Sequence, residues 1–211
     1  MRNYVFMLLA VLFALTTFGC SDPSANKPKA SVRNAASESG AAKTGGETLV
    51  ISPDNSKVDF VASKVTRSHN GSFKQFAGTI DLVNNSAEQS IVNISIDTGS
   101  VITDEADLTA HLKTPDFFDV AKYPKATFVS TRIEPNTSGG GTHNVTGNFD
   151  LHGVKKSISF PATIQIAPDN VTVTAEFSIN RKDFGINYPG KADDLIRDGV
   201  VIKLTLKPHK K

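Results

Sequence analysis

Apolar and polar side chains alternate along most of the chain after residue 56, and a period of two predicts β-strands that are buried on one face. In one run Phe76, Gly78, Ile80 and Leu82 share a face, and more polar positions lie between them. Runs of this kind occupy residues 58–62, 76–82, 92–96, 126–133, 145–151, 158–166, 171–179 and 200–206. The pattern therefore predicts eight half-buried strands.

Most of the connections between these runs are short turns such as Asn84-Asn85 and His152-Gly153. Neighbouring strands must then be antiparallel, because a parallel pair needs a crossover of about a dozen residues or more. Eight antiparallel strands can close into an up-and-down barrel that is either filled by side chains or holds one small ligand. We predict an all-β, eight-stranded antiparallel barrel, with a two-sheet sandwich as the alternative. Small residues such as Gly147 among the phenylalanines favour a hollow interior, but they are equally consistent with a packed one.

One connection, at residues 99–124, is long enough to hold another element, and we expect a helix at about 103–118. Its start is rich in acidic side chains, which a helix N-terminus favours. Two leucines four residues apart would share one face of it, and Pro115 ends or kinks it. We expect Phe117 or Phe118, on the turn that follows, to close over the barrel core.

The N-terminus resembles a bacterial export signal. An apolar run of 14 residues, 5–18, follows a basic start and ends at Gly19-Cys20; a helix that spans a bilayer needs roughly 20 residues. The placement of Cys20, the only cysteine, resembles a lipobox, although Thr17 stands where leucine is usual. We predict a lipoprotein signal peptide at residues 1–19 and lipidation of Cys20, which would anchor the protein in the bacterial cell envelope, facing the periplasm. Cleavage as an ordinary signal is the alternative, and Ser21 slightly favours the outer membrane.

Residues 20–46 contain no aromatic side chain and one large aliphatic, Val32. Such a segment buries too little apolar surface to offset its ordering entropy. We expect a disordered tether with a reach of roughly 25 to 31 Å, followed by one barrel domain at residues 47–211. The net charge is +2 and the charges nearly cancel from residue 47 onward, so no basic surface is expected to bind nucleic acid.

The motifs of common enzyme classes are missing from the sequence. It contains no Gly-x-Ser-x-Gly elbow and no glycine-rich phosphate loop before a helix. Its five histidines are scattered without an i, i+4 pair, so a metal site has little support. We therefore expect no catalytic residues, no metal and no cofactor.

Four segments resemble the motifs of the YceI-like lipid-binding family. They are HLKTPDFFDV at residues 111–120, YPKATF at 123–128, GNFDLHGVK at 147–155 and NRKDFGI at 180–186. The resemblance implies a lipocalin-like extended eight-stranded barrel with a helical connection, exported to the bacterial envelope. It also implies that the barrel holds long isoprenoid chains, such as quinone tails or polyprenyl phosphates.

We therefore expect an envelope lipoprotein that binds a long-chain isoprenoid lipid inside the barrel, for transport or storage. The alternatives are an enzyme, or a stress-protective protein, that uses the same barrel with a small ligand or none. The sequence also leaves undecided whether two chains pair edge to edge as a homodimer. We expect the lipid tail to contact Phe60, Phe76, Ile80, Ile94, Leu112, Phe117, Phe118, Phe128, Phe149, Phe160 and Phe177. The candidates for contact with a polar head group are Arg67, His69, His111, Arg181 and Asp183. Arg181 and Asp183 are also spaced to pair with each other on one strand face.

Overall fold

The structure, a computed structural model, describes residues 22–36 and 46–210. These residues form one α-helix, α1 (Ala106–Leu112), and 3₁₀ turns at Thr98–Ser100 and Arg181–Phe184. The strands, numbered along the chain, are β1 (Ser31–Asn34), β2 (Glu47–Ile51), β3 (Lys57–Ser63), β4 (Ser68–Phe73), β5 (Phe76–Val83), β6 (Ser86–Asp97), β7 (Val101–Thr103), β8 (Lys125–Pro135), β9 (His143–Leu151), β10 (Val154–Ala167), β11 (Asn170–Asn180), β12 (Gly190–Lys191), β13 (Asp194–Leu195), β14 (Gly199–Leu206) and β15 (His209–Lys210). Within the described ranges, the helices are too short or too polar to cross a membrane.

The all-β prediction is confirmed, because each of the eight alternating runs is a strand: β3, β5, β6, β8, β9, β10, β11 and β14. The strand count differs, since short strands of two to six residues are added to these eight. Segments this short carry little alternation of their own. Those in the large sheet become strands because a neighbour offers backbone hydrogen bonds, whereas β12 and β13 pair with each other in a separate two-stranded sheet.

Thirteen strands form one curled antiparallel sheet, a half-barrel, in the order β15-β2-β5-β6-β8-β9-β10-β11-β14-β3-β4-β7, with β1 added beside β10. The long β10 spans the bend of the sheet, because residues 154–162 pair with β9 and residues 163–167 pair with β11. β15 follows β14 after two residues and pairs with β2. That pairing brings the two ends of the strand order close together around a common core.

The helix is shorter than the predicted span of 103–118. It begins after Glu105 and ends at Leu112, with Lys113 as the C-terminal cap. The residue before a proline disfavours helical geometry, so Pro115 stops the helix one turn early. The chain then turns through Asp119, whose φ of 46° is left-handed, and leads to β8.

The N-terminal strap, which we define as residues 22–36, lies on the sheet, so the prediction of a disordered tether at residues 20–46 does not hold for it. β1 pairs with residues 156–159 of β10. The N–H of Ala30 donates to the Ser178 carbonyl at 2.8 Å, and the N–H of Ser178 donates to the Pro28 carbonyl at 2.8 Å. The strap therefore bridges β10 and β11.

The strap is ordered because two neighbouring strands of the sheet diverge beneath it. β10 and β11 pair with each other only through residues 163–167 and 170–174, and the strap fills the gap where they diverge. Ala30 is buried against the main core there, so sheet hydrogen bonds and burial offset the entropy cost that composition alone suggested. The predicted signal peptide, Cys20 and residues 37–45 lie outside the described residues.

Candidate binding cavity

The curled sheet surrounds a cavity of about 180 Å³ that is partly open to solvent. The accessible surface of this cavity belongs entirely to apolar atoms. One buried water needs only roughly 10 to 15 Å³ of space, so this part of the interior is far from close-packed. Apolar cavities in proteins stay dry and take up hydrocarbon. The half-barrel is therefore hollow over part of its length.

Three phenylalanines on β8, β10 and β11 form one wall of the cavity. Phe160 of β10 and Phe177 of β11 are stacked, with 4.0 Å between ring centroids and 10° between ring planes. The ring of Phe128 on β8 lies 5.8 Å from that of Phe160. Aromatic pairs of this kind contribute about 0.5 to 1.5 kcal/mol beyond their burial. The rings therefore hold one another in position at the cavity surface.

Two glycines make room for rings that line the cavity. A Cβ atom at Gly71 would lie 2.1 Å from Cζ of Phe60, and one at Gly147 would lie 2.4 Å from Cζ of Phe128. Real Cβ atoms essentially never approach other atoms so closely. A larger side chain at either position would therefore displace the ring that covers it.

Helix α1 and the loop after it contribute a second wall, formed by Leu112, Phe117 and Phe118. The N–H of Phe118 donates to the Leu112 carbonyl at 3.0 Å, which folds the loop back onto the end of the helix. The ring of Phe118 meets that of Phe73 edge-on, with centroids 5.6 Å apart. Both Phe117 and Phe118 thus face the barrel interior.

The structure brings together most of the side chains that the sequence indicated for the lipid tail. Those that line the cavity are Phe60, Ile94, Leu112, Phe117, Phe118, Phe128, Phe149, Phe160 and Phe177. Their contact with a lipid stays a prediction. Two lining residues that the sequence did not indicate are Ile186 and Ile196, which follow β11 in an irregular segment. Ile186 is the last residue of the NRKDFGI motif, whereas the one sequence signal of Ile196 is that it is aliphatic in a stretch rich in Gly, Pro and Asp.

Phe76 and Ile80 do not line the cavity, which corrects their placement. Both lie on β5 and pack in a separate apolar cluster with Leu49 and Ile51 of β2. The sequence did not predict β2, so the side chains that fill this part of the barrel were not expected. The interior is thus solid around β2 and β5 and hollow beyond them.

The model of the YceI-like domain matches residues 49–207. The chain belongs to the YceI-like domain family.

Relatives of this YceI-like chain include a UPF0312 protein of Pseudomonas savastanoi pv. phaseolicola, which is 38% identical over 144 residues, or 63% of this chain and 72% of the relative. The crystal structure of Burkholderia cenocepacia BcnA is similar with a TM-score of 0.65 and 27% identity, over 74% of this chain and 98% of that one. A polyisoprenoid binding domain from Saccharophagus degradans, implicated in plant cell wall breakdown, has a TM-score of 0.62 and 19% identity over 79% of this chain and all of its own. The last likeness supports the fold alone.

Arg181 is the head-group candidate that reaches the YceI-like cavity, but its guanidinium is engaged by the protein. Its nitrogens donate to the carbonyls of Ile186 at 2.8 Å, Arg197 at 3.2 Å and Ile196 at 3.3 Å. The side chain is 5% exposed and pairs with Asp198 at 3.3 Å. Burial lowers the pKa of Arg181, and the charge of Asp198 opposes that shift. These contacts tie the 3₁₀ turn to the segment before β14.

Arg67 and His69 interact with acidic residues beside α1, away from the cavity lining. Arg67 forms an ion pair with Glu105, and Nδ1 of the buried His69 lies 2.9 Å from Asp104 Oδ1. Burial acts to raise the pKa of Asp104, but hydrogen bonds from His69 and from the N–H of Asn70 outweigh it and lower that pKa. Both candidates therefore connect β4 to the start of the helix.

His111 and Asp183 have different surroundings. Nε2 of His111 lies 2.8 Å from Asp116 Oδ2, and its ring meets Phe117 and Tyr188 edge-on at 5.0 and 5.1 Å. His111 is thus in contact with a cavity-lining ring while it remains partly exposed. Asp183 is exposed on the 3₁₀ turn, so the predicted strand-face pairing with Arg181 is wrong. Residues two apart in a 3₁₀ turn point in different directions, and Asp198 takes the place of Asp183.

The structure brings no metal ligands together at these sites. Over residues 22–36 and 46–210, His, Cys, Asp and Glu form no group of three or more that could hold a metal ion.

Proposed function

We propose that this protein is an envelope lipoprotein that binds the chain of an isoprenoid lipid in the cavity, for storage or transport. The observation that carries the proposal is the wholly apolar surface of a cavity of about 180 Å³. A branched hydrocarbon chain needs no polar partner. Its burial is favourable by about 25 cal/mol per Å² of apolar area, from which ordering and association costs are subtracted.

The polar head of such a lipid belongs outside the cavity, because the lining offers it no polar atom. His111 and Tyr188 are the polar side chains in contact with the lining ring of Phe117. A quinone or phosphate head beside them would accept a hydrogen bond from the phenol of Tyr188, whereas Nε2 of His111 already lies 2.8 Å from Asp116 Oδ2. We therefore place the head group at this rim and the chain inside.

Binding rather than catalysis is the activity that this geometry supports. Arg181, a charged residue of the cavity lining, is already hydrogen-bonded to three backbone carbonyls. The Saccharophagus degradans domain that shares this fold is a polyisoprenoid binding domain, which agrees with a binding role. Export and lipidation at Cys20 are part of the proposal and are supported by the N-terminal sequence.

Lipid extraction tests the cavity directly. The mature protein is purified from bacterial envelopes and extracted with organic solvent, and the extract is analysed by mass spectrometry. Ala126 lines the cavity on β8, and Ala126→Phe would place a ring inside it at a cost of about 1 to 3 kcal/mol. The matched control is Ala77→Phe, which makes the same change on the exposed face of β5.

We expect an isoprenoid in the extract of the wild-type protein and of Ala77→Phe. The folded Ala126→Phe variant should retain at least tenfold less of it. A wild-type protein without lipid under several growth conditions would contradict the proposal. So would full retention in Ala126→Phe, because the ring would then leave the binding site untouched.

A further inference from the structure

The strap begins at one defined place on the domain. Asp22 lies 3.9 Å from Nη1 of Arg197, and Ser24 packs so closely on Gly199 that a Cβ there would be 2.2 Å from the serine Oγ. The start of the strap is therefore held at the beginning of β14. Two residue steps, which span at most roughly 7 Å, separate Asp22 from Cys20. An anchor at Cys20 would therefore hold the surface around Arg197 and Gly199 close to the anchoring point.

Two exposed aliphatic side chains lie at the same place. Val65 is 49% exposed and Leu195 is 48% exposed, more than any other large hydrophobic residue in the described ranges. They are neighbours, because the N–H of Val65 donates to the Leu195 carbonyl at 3.0 Å. The N–H of Arg197 donates to the Ser63 carbonyl at 2.9 Å. The two loops are thus joined to each other and to the residue that contacts Asp22.

The loops that carry these side chains are braced. Asp194 pairs with Nζ of Lys64 at 3.1 Å and accepts a hydrogen bond from the Thr66 hydroxyl at 2.8 Å. The braces keep Val65 and Leu195 presented to the outside instead of folded onto the sheet. Exposed apolar side chains that lie together mark a surface that meets a protein or a membrane, in contrast to ones that are scattered singly.

The chain before the strap decides between these two partners. It contains the apolar run at residues 5–18 and then Cys20, and the path from Cys20 to the strap is too short for the domain to turn another face to a membrane. The basic side chains around the two aliphatics have acidic partners: Lys64 pairs with Asp194, Arg67 with Glu105 and Arg197 with Asp22, and Lys191 lies opposite Asp194 in the β12–β13 pair. Contact there would rest on apolar insertion, with little contribution from charge.

We infer that the lipid bilayer is the partner of this surface, which we call the docking face and define as residues 63–67 and 190–197. The inference rests on the proposed envelope anchoring and adds to it a fixed orientation. Val65 and Leu195 then lie at the boundary between head groups and acyl chains, as the apolar face of an interfacial protein does. The next residue after Leu195, Ile196, lines the cavity. The docking face therefore places the cavity wall beside the bilayer that holds the isoprenoid.

Site-specific fluorescence tests the docking face on the mature protein, which is expressed from the full-length sequence and purified from membranes. It is reconstituted into phosphatidylethanolamine–phosphatidylglycerol vesicles. A single cysteine replaces Val65 or Leu195 and is labelled with a polarity-sensitive maleimide dye; acylation blocks the Cys20 sulfur. The matched controls carry the label at Ile102 or Val129, which are exposed at 40% and 39% on β7 and β8.

We expect blue-shifted emission and quenching by brominated lipid at positions 65 and 195 only, at low and at high salt. An equal response at all four positions, or a larger one at the controls, would overturn the docking face. The mass of the N-terminal peptide reports acylation separately. If Cys20 is unmodified, the anchoring in the proposed function fails, and the four labels are then measured on a Cys20→Ser protein added to vesicles. Labels at 65 and 195 that still enter the bilayer support the docking face, and labels that stay in water overturn it.

Discussion

Replacement of Arg181 by methionine tests whether this buried cation serves the fold or a lipid head group. Methionine has a similar length and no charge, so it fills the space without donating a hydrogen bond. In the folded protein the guanidinium donates hydrogen bonds to the carbonyls of Ile186, Ile196 and Arg197. Those three acceptors are left without their donor in Arg181→Met.

The expected loss follows from these contacts. The contact with the Ile186 carbonyl is fully buried, so its loss costs about 1 to 3 kcal/mol, and each of the two part-buried contacts is worth about 0.5 to 1.5 kcal/mol. Together they lower the free energy of unfolding by about 2 to 6 kcal/mol. Asp198 adds little, because its side chain is 43% exposed and keeps the ion pair with Lys182. For a domain of this size each kcal/mol lowers Tm by roughly 2 to 4 °C. Arg181→Met should therefore unfold roughly 4 to 24 °C below the wild type.

Circular dichroism during heating and urea titration measures this loss. Lipid content is compared at a temperature at which both proteins are folded, and we expect it to be unchanged. Lys182→Ala is the control: it removes a neighbouring exposed cation that pairs with the same Asp198, and it should cost less than about 1 kcal/mol. Arg181→Lys should fall between the two, because a single ammonium cannot reproduce the planar fork. If Arg181→Met keeps its Tm but loses its lipid, the structural role is refuted and Arg181 is a head-group ligand.

Three further changes test other parts of the molecule. Asn148→Ala removes two hydrogen bonds of 2.9 and 3.0 Å to the backbone at the end of the strap. Each bond contributes about 0.5 to 1.5 kcal/mol, so amide hydrogen exchange in the strap should become faster. Exchange as slow as in the wild type would refute the idea that Asn148 holds the strap in place. Asp104→Asn should destabilise the protein at neutral pH. The folded pKa of Asp104 lies below its ordinary value, so its stabilisation is present above the unfolded pKa and is lost as the pH falls through the folded pKa. Urea unfolding at neutral pH and at successively more acidic pH should show the gap between the two proteins narrowing. Gly71→Ala should push the ring of Phe60 into the cavity and reduce bound lipid, with Ser72→Ala on the same strand as the control; unchanged lipid content would contradict that displacement.

The period of two along the chain determined most of the sheet. Alternation is a local property that one segment carries by itself, so strands such as β10 and β11 could be predicted without their partners. The same pattern placed Phe160 and Phe177 on inward faces. The local sequence also determines that the helix stops before Pro115, because the constraint that proline imposes on the preceding residue needs no tertiary contact.

Contacts between distant segments decided the rest. The strap has the composition of a disordered segment and becomes ordered because β10 and β11 diverge far along the chain and leave backbone groups to pair. Phe76 packs in a solid part of the barrel because β2 brings side chains against it. Arg181 pairs with Asp198 instead of the nearby Asp183, since the 3₁₀ turn directs the two side chains apart. Each of these outcomes depends on which surfaces meet after the sheet has curled, and no pattern within a single segment contains that information.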